Sequence, residues 1–357
     1  MLASWIVQAL FANLAVATKF RPGGNNAKFK TLVTFGDSYT DENRLGYFFA
    51  NNGSAPPVGW QQPVGLATAS GGRSWARLAS DYSGMKLYNY AVSGAVCSNQ
   101  ISPRPLAAIN APFPDVAGYE VPAFIADSKY ISPNGTKFFT GEASSTAYAI
   151  WIGTNDLGNG AFLTDKQLPG KTIVDYIDCV YDQVTRLYEN GARYIVLLNL
   201  APLELLPQYQ LPEKGGLQST QFFNNAPGKN LTAIHIRMQN TVAALNRVYK
   251  YRTPYETDNT DLWEDATVVN FDVNALMKDI YYHPTQYFNG TEPANVTGVA
   301  HYCNDQGSNC TTASSLDSYM WYDPLHPSEQ TSRAIAKEFV NVVGGKSKYA
   351  SYWGNCE

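Results

Sequence analysis

Five short runs of apolar, β-branched and aromatic residues recur along the chain: Thr31 to Phe35, Lys86 to Val92, Ala147 to Ile152, Tyr194 to Leu200 and Thr267 to Phe271. Each has the length and composition of a strand. Segments with helical periodicity separate several of them. Ile173, Val174, Ile177, Val180, Tyr181, Val184, Leu187 and Tyr188 follow the three-to-four spacing of an amphipathic helix that Gly191 would stop. Leu231, Ile234, Met238, Leu245 and Val248 mark a second helix, and a last one is predicted to start near Ser328 and carry Ile335, Phe339 and Val343 up to Gly344-Gly345. Strands alternating with helices predict an α/β chain with three α/β/α layers around a mostly parallel five-stranded sheet. In such a sheet, reactive groups collect beyond the carboxyl ends of the strands.

Four short pieces fall at such positions. Phe35-Gly36-Asp37-Ser38 ends the first run, Ser93-Gly94 follows the second, Gly153-Thr154-Asn155-Asp156 follows the third, and Asp323-Pro324-Leu325-His326 precedes the final helix. Gly36 and Asp37 suit a sharp turn that would expose Ser38 at the start of a helix. Asp323 stands three residues before His326, so its carboxylate can orient the imidazole while the other ring nitrogen faces Ser38. Taken singly, each residue has a plainer reading: Ser38 as a helix cap, Gly94 as a turn glycine, Asn155 as a loop amide, His326 as a loop histidine bonded to Asp323. Asp37 reads as a turn residue, and Asp41 or Glu42 as acids favoured by the dipole of a helix N-terminus. Of the other histidines, His235 sits in a helical repeat, and His283 and His301 lie in polar loops.

Together the four blocks resemble the SGNH, or GDSL-type, serine hydrolases, whose Ser, Gly, Asn and His come from separate segments in this order. Phe-Gly-Asp-Ser-Tyr-Thr-Asp, Trp-Ile-Gly-Thr-Asn-Asp-Leu and Asp-Pro-Leu-His-Pro look most like the fungal acetylesterases of carbohydrate esterase family 16. The resemblance implies the flavodoxin-like SGNH hydrolase fold, with Ser38 as nucleophile, His326 as base and Asp323 as its orienting acid. It makes the Ser38 and Gly94 N–H groups and the Asn155 amide the oxyanion donors. It also implies a small acetylated carbohydrate as substrate, acetylated xylo-oligosaccharides among them, and no metal or organic cofactor. Two alternatives stand beside this reading: a lipase or phospholipase of the same superfamily, and an inactive glycan-binding protein on a hydrolase scaffold. Trp60 is a candidate sugar platform, whereas Trp151, inside a strand, reads as core.

The rest of the chain bears on where such an enzyme would work. A formal charge of −4 with 16% charged residues and no basic block gives no electrostatic reason to expect nucleic acid. Residues 1–17 are apolar and end in Ala15-Val16-Ala17, a cleavage pattern of secretory signals, although no Lys or Arg precedes the apolar stretch. An N-terminal helix packed on the domain is the alternative. Residues 18–29 read as a linker, and 30–357 as a single catalytic domain with loop insertions near 51–72, 102–122 and 283–315. No other run is long and apolar enough to span a bilayer, so no stable membrane association is expected.

Sequons at Asn52, Asn134, Asn230, Asn289 and Asn295 predict glycosylation; a sixth, at Asn309, has Cys310 as its middle residue. Among five cysteines, Cys303 and Cys310 close a short Asn/Gly/Ser loop and are the expected disulfide. With His301 they would otherwise suggest zinc, but no fourth ligand stands at a characteristic spacing. Cys97 and Cys179 are possible neighbours, and the pairing of Cys356 is open.

Overall fold

The computed structural model describes residues 29–106, 111–224, 228–260 and 262–354. The expected signal segment, nearly all of the linker, and Cys356 lie outside them. All five expected strands form: β1 Thr31–Gly36, β2 Lys86–Asn89, β3 Thr146–Trp151, β4 Tyr194–Leu198 and β5 Thr267–Phe271. They pair in parallel in the order β2-β1-β3-β4-β5. Every residue of β1, β3 and β4 is buried, as expected for strands covered on both faces.

The sheet has a sixth strand that was not expected. β6, Ala350–Gly354, runs antiparallel to β5 with Ala350 opposite Phe271 and Gly354 opposite Thr267. Its Ala-Ser-Tyr-Trp-Gly sequence lacks a continuous apolar run because it is an edge strand, with one residue exposed and the others half-buried.

Helices close both faces. Besides the single turn Thr154–Leu157, they are along the chain α1 Arg44–Ala50, α2 Trp75–Ser83, α3 Val121–Lys129, α4 Ile173–Glu189, α5 Leu231–Asn259, α6 Val273–Tyr282 and α7 Glu329–Val343. One layer packs α2 against α7 and α7 against α6; the other packs α3 against α4 and α4 against α5. The ends of α4 and α7 follow local chemistry. Thr172 and Asp175 form a capping box before α4, and the Ser328 hydroxyl accepts from Thr331 N at 3.2 Å before α7. α5 runs well past Val248, its last expected apolar position, because Tyr249, Thr253 and Thr257 continue the buried face. Thr253 spends its hydroxyl on Asn270 of β5 at 2.9 Å, so the helical period is kept by polar residues that an apolar pattern does not reveal.

Two of the segments read as loops contain structure. Val116–Glu120 is a π-helical turn, with the Asp115 carboxylate accepting from Gly118 N at 2.6 Å, and it runs directly into α3. Between residues 283 and 315 the short strand Asn295–Val299 pairs with Tyr319–Trp321, and His301–Tyr302 pairs with Thr311–Thr312. The winding of the sheet reverses between β1 and β3, leaving a crevice beyond their carboxyl ends.

Candidate active site

Gly36 ends β1 with φ +150°, and a Cβ there would lie 2.1 Å from the Trp151 carbonyl oxygen of β3. Only glycine lets the chain leave the sheet this close to its neighbour. Asp37 to Thr40 then form one tight turn, with Thr40 N and Asp41 N donating to Asp37 O at 2.9 and 3.0 Å. Ser38 sits in this turn rather than at the start of a helix. The helix is displaced to Arg44 because Asn43 adopts a left-handed conformation and Asp41 accepts from Arg44 N at 2.6 Å.

From the other end of the chain, His326 reaches Ser38. Its Nε2 lies 2.8 Å from Ser38 Oγ, and its Nδ1 lies 2.9 Å from each carboxylate oxygen of Asp323. With the Nδ1 proton held by Asp323, Nε2 accepts from the serine hydroxyl. The loop is fixed locally: Asp323 Oδ1 also accepts from Leu325 N and His326 N at 2.8 and 2.9 Å, and Tyr322 N donates to His326 O at 2.8 Å. Tyr39, next to the serine, donates its hydroxyl to Leu325 O at 2.8 Å and so ties the two segments directly.

Gly94 and Asn155 follow β2 and β3 respectively. Gly94 has φ +92°, a Cβ there would meet the Phe113 ring at 3.0 Å, and its carbonyl accepts from the Arg104 guanidinium. Ser93 is pinned beside it, with its N–H and hydroxyl each 2.8 Å from Asp41 Oδ2. The Asn155 amide donates one hydrogen to Ala95 O at 2.9 Å and keeps a second. Neither Ser38 N–H nor Gly94 N–H enters a hydrogen bond among the described residues. Three donors are therefore unengaged among the described residues, on the segments that follow the carboxyl ends of β1, β2 and β3.

Beneath this surface lie carboxyl groups that sequence reasoning left in minor roles or missed. Asp37 and Asp156 flank Ser38 and Asn155, and each has one buried carboxyl oxygen without a hydrogen-bond partner among the described residues. Their other oxygens accept from Tyr39 N at 3.0 Å and Cys97 N at 2.9 Å. Burial pushes Asp37 up to about 6, against the pull of the Tyr39 N–H and the nearby Arg104 charge. Burial, reinforced by the charge of Asp37, pushes Asp156 up to about 7. Glu120, at the end of the π-helical turn, accepts from Gly36 N at 2.8 Å and Val92 N at 3.2 Å, and burial holds its carboxyl well above the ordinary range. It joins the ends of β1 and β2 under the site. Nothing in its local sequence marks it, since its partners are 84 and 28 residues away.

Asp41 and Glu42 also depart from a simple dipole role. Asp41 does meet the N-terminus of α1, but it also holds Ser93, while Glu42 makes a bidentate pair with Arg77 at 2.8 and 3.0 Å. Trp60 is half-buried, its ring 4.9 Å from Tyr47 and 5.3 Å from the Arg44 guanidinium, so it packs its loop onto α1. No ring or hydrogen-bond contact among the described residues joins it to Ser38 or His326. Trp151 is buried between Tyr39 and Trp75.

Two disulfides brace the surroundings. Cys97–Cys179 links the loop carrying Gly94 to α4, and Cys303–Cys310 closes the short loop beside His301. The second bond consumes both thiols that a metal would need, leaving His301 stacked on Tyr322 at 5.2 Å.

Residues 32–339 match the GDSL-like Lipase/Acylhydrolase family. The chain belongs to this family. As a GDSL hydrolase it is a carboxylic ester hydrolase, and a hydroxyl, an imidazole and a carboxylate joined in series, as Ser38, His326 and Asp323 are, suit such chemistry. The sequence is 39% identical to an acetylesterase of Hypocrea jecorina over 91% of this chain and 92% of the relative. It is 28% identical to an acetylesterase of Thermothelomyces thermophilus over 77% of this chain and 90% of that protein. An acetylxylan esterase from Geobacillus stearothermophilus, solved as a catalytic mutant, is a remote likeness at 13% identity and TM-score 0.38, covering 93% of this chain and 98% of that one. That superposition is too loose to bear on the GDSL site.

Proposed function

We propose that this GDSL hydrolase is a secreted acetylesterase that removes acetyl groups from carbohydrates, acetylated xylo-oligosaccharides among them. The observation that carries the reading is the continuous chain from Ser38 Oγ through His326 to both oxygens of Asp323. The acetyl preference is supported by the two fungal acetylesterases that match most of their own length.

In the reaction, Ser38 Oγ attacks the ester carbonyl while its proton passes to His326 Nε2. Negative charge moves to the carbonyl oxygen, where Ser38 N–H, Gly94 N–H and the Asn155 amide hold it. His326 gives its proton to the departing alkoxide, and the acetyl group stays on Ser38. Water then loses a proton to His326 and attacks the acyl carbon; collapse of that intermediate frees acetate and returns the proton to Ser38. Asp323 stabilises the imidazolium at each stage.

Secretion rests on the cleavage pattern of residues 1–17 and on the sequons. Asn52, Asn134, Asn230 and Asn289 are exposed, as glycan attachment requires, and Asn295 is half-exposed with its carbonyl oxygen turned to Thr297 N and Gly298 N. The test is a series of esters of one alcohol with increasing acyl length. The acetylesterase reading expects kcat/KM to fall steeply from acetyl to butyryl. A rise with acyl length, or activation at a lipid interface, would assign the site to a lipase instead.

A further inference from the structure

Phe222 touches the catalytic imidazole from outside. Its ring stands edge-on to His326, with centroids 5.3 Å apart and planes at 81°. The other aromatic neighbour of that imidazole among the described residues, Tyr39, is buried and held by its hydroxyl on Leu325 O, whereas Phe222 is only half-buried.

The backbone that presents Phe222 is firmly built. Thr220 and Phe223 exchange both backbone hydrogen bonds, at 3.1 and 3.2 Å, so Gln221 and Phe222 form the corner of a tight turn. Thr220 and Phe223 are themselves buried. Lys229 Nζ donates to Phe223 O at 2.9 Å and Gln218 O at 2.8 Å and lies 4.1 Å over the Phe223 ring. Asn159 donates to Phe222 O at 3.2 Å, and Ser219 Oγ bonds Asp305 in the Cys303–Cys310 loop at 2.5 Å. Turn corners favour Gly, Asn, Asp and Pro for their backbone preferences. A large apolar ring held half-exposed at such a corner offers a surface that a ligand can cover.

Chemistry indicates which part of a substrate lies there. The carbonyl oxygen must sit among Ser38 N–H, Gly94 N–H and Asn155, while the departing oxygen must come within reach of His326 Nε2 to be protonated. A group packed on His326 therefore borders the alcohol rather than the acyl chain. Sugar rings carry C–H faces that pack on aromatic rings. We propose that Phe222 is the surface on which the alcohol portion of the ester, a sugar ring, rests before it departs. The identity of that alcohol rests on the carbohydrate reading above, but the side of the site on which Phe222 acts does not.

The experiment uses acetates of ethanol, cyclohexanol and methyl xyloside, together with ethyl butyrate, on the full chain and on Phe222→Ala, Phe222→Leu and Phe222→Trp. Removing the ring should lower kcat/KM for the cyclohexyl and xyloside acetates relative to ethyl acetate by roughly tenfold, with the loss largely in KM. Phe222→Trp should preserve the ratio, and Phe222→Leu stands in if the alanine variant fails to fold. The ratio of ethyl butyrate to ethyl acetate and the midpoint of the pH profile should stay at their original values. A changed acyl ratio would make Phe222 part of the acyl pocket, and an equal loss on every acetate, or a shifted pH midpoint, would make it only a support for His326; each result overturns the proposal. If the unmodified enzyme ignores the xyloside acetate, the carbohydrate reading falls, while the cyclohexyl-to-ethyl ratio still decides the role of Phe222.

Discussion

Replacing Asp156 with Asn should change how stability responds to pH, in a direction set by the burial of this carboxyl. In the unfolded chain the group titrates near the ordinary aspartate value of about 3.9. In the folded protein burial and the charge of Asp37 push it up to about 7. Between these values the folded state keeps a proton that the unfolded state has lost, so stability is greatest at low pH and falls as pH rises toward 7. Each unit corresponds to about 1.4 kcal/mol, so between pH 5 and pH 8 Asp156 alone should remove about 3 kcal/mol.

Asn at this position keeps an oxygen that can accept from Cys97 N and has nothing to ionise. Glu120, Asp41 and Asp127 are also pushed up by burial, but they titrate in both proteins and cancel from the difference. Asp37 is held up by its own burial and titrates in both proteins as well. Urea unfolding followed by tryptophan fluorescence at pH 5, 6.5 and 8 gives the comparison. The Asp156→Asn protein should be flatter across this range by about 3 kcal/mol and should gain relative to wild type at pH 8. Parallel pH curves for the two proteins would show that Asp156 does not keep its proton in the folded state and would refute the reasoning.

Three further outcomes follow from the geometry. Asn155→Ala should lower kcat by about a hundredfold or more with little change in KM, because the amide strengthens its bond mainly as charge develops; steady-state kinetics would show a pure KM effect if Asn155 only binds substrate. Asp323→Asn should leave the unfolding temperature near that of wild type but cut kcat by up to roughly 10⁴-fold through misorientation of His326, and near-normal turnover would exclude Asp323 from that role. The Cys97–Cys179 bond closes a span of 82 residues and Cys303–Cys310 one of 7. Chain entropy therefore predicts losses of about 4 and about 2 kcal/mol on Cys→Ser replacement of each pair, and equal losses in denaturant titrations would contradict that ordering.

Much of the scaffold was legible because it is written in consecutive residues. β1, β3 and β4 are runs rich in apolar residues and buried on both faces, and the starts of α4 and α7 carry their own caps. Gly36, Gly94 and Gly153 mark turns whose positive φ only glycine adopts cheaply. Ser38, Asp323 and His326 were singled out by local spacing and turn chemistry, and the fold joins the three in one hydrogen-bonded chain.

Other features depend on which distant segments meet, and that was decided only by the tertiary structure. The edge strand β6 has no apolar run of its own and exists because β5 offers it a partner. Glu120 becomes a strap between β1 and β2 only when the π-helical turn passes beneath them, and Asp156 is pushed up only when folding buries it beside Asp37. Which aromatic rings stand near His326 was likewise not readable from the chain in order. Folding packs Trp60 against Tyr47 and Arg44 and brings Phe222, 104 residues before His326 in the chain, to the imidazole. Propensity and turn chemistry act over a few residues and can be read in order; desolvation and ring packing depend on every neighbour within a few ångströms, and those neighbours are set only when the sheet and its loops have assembled.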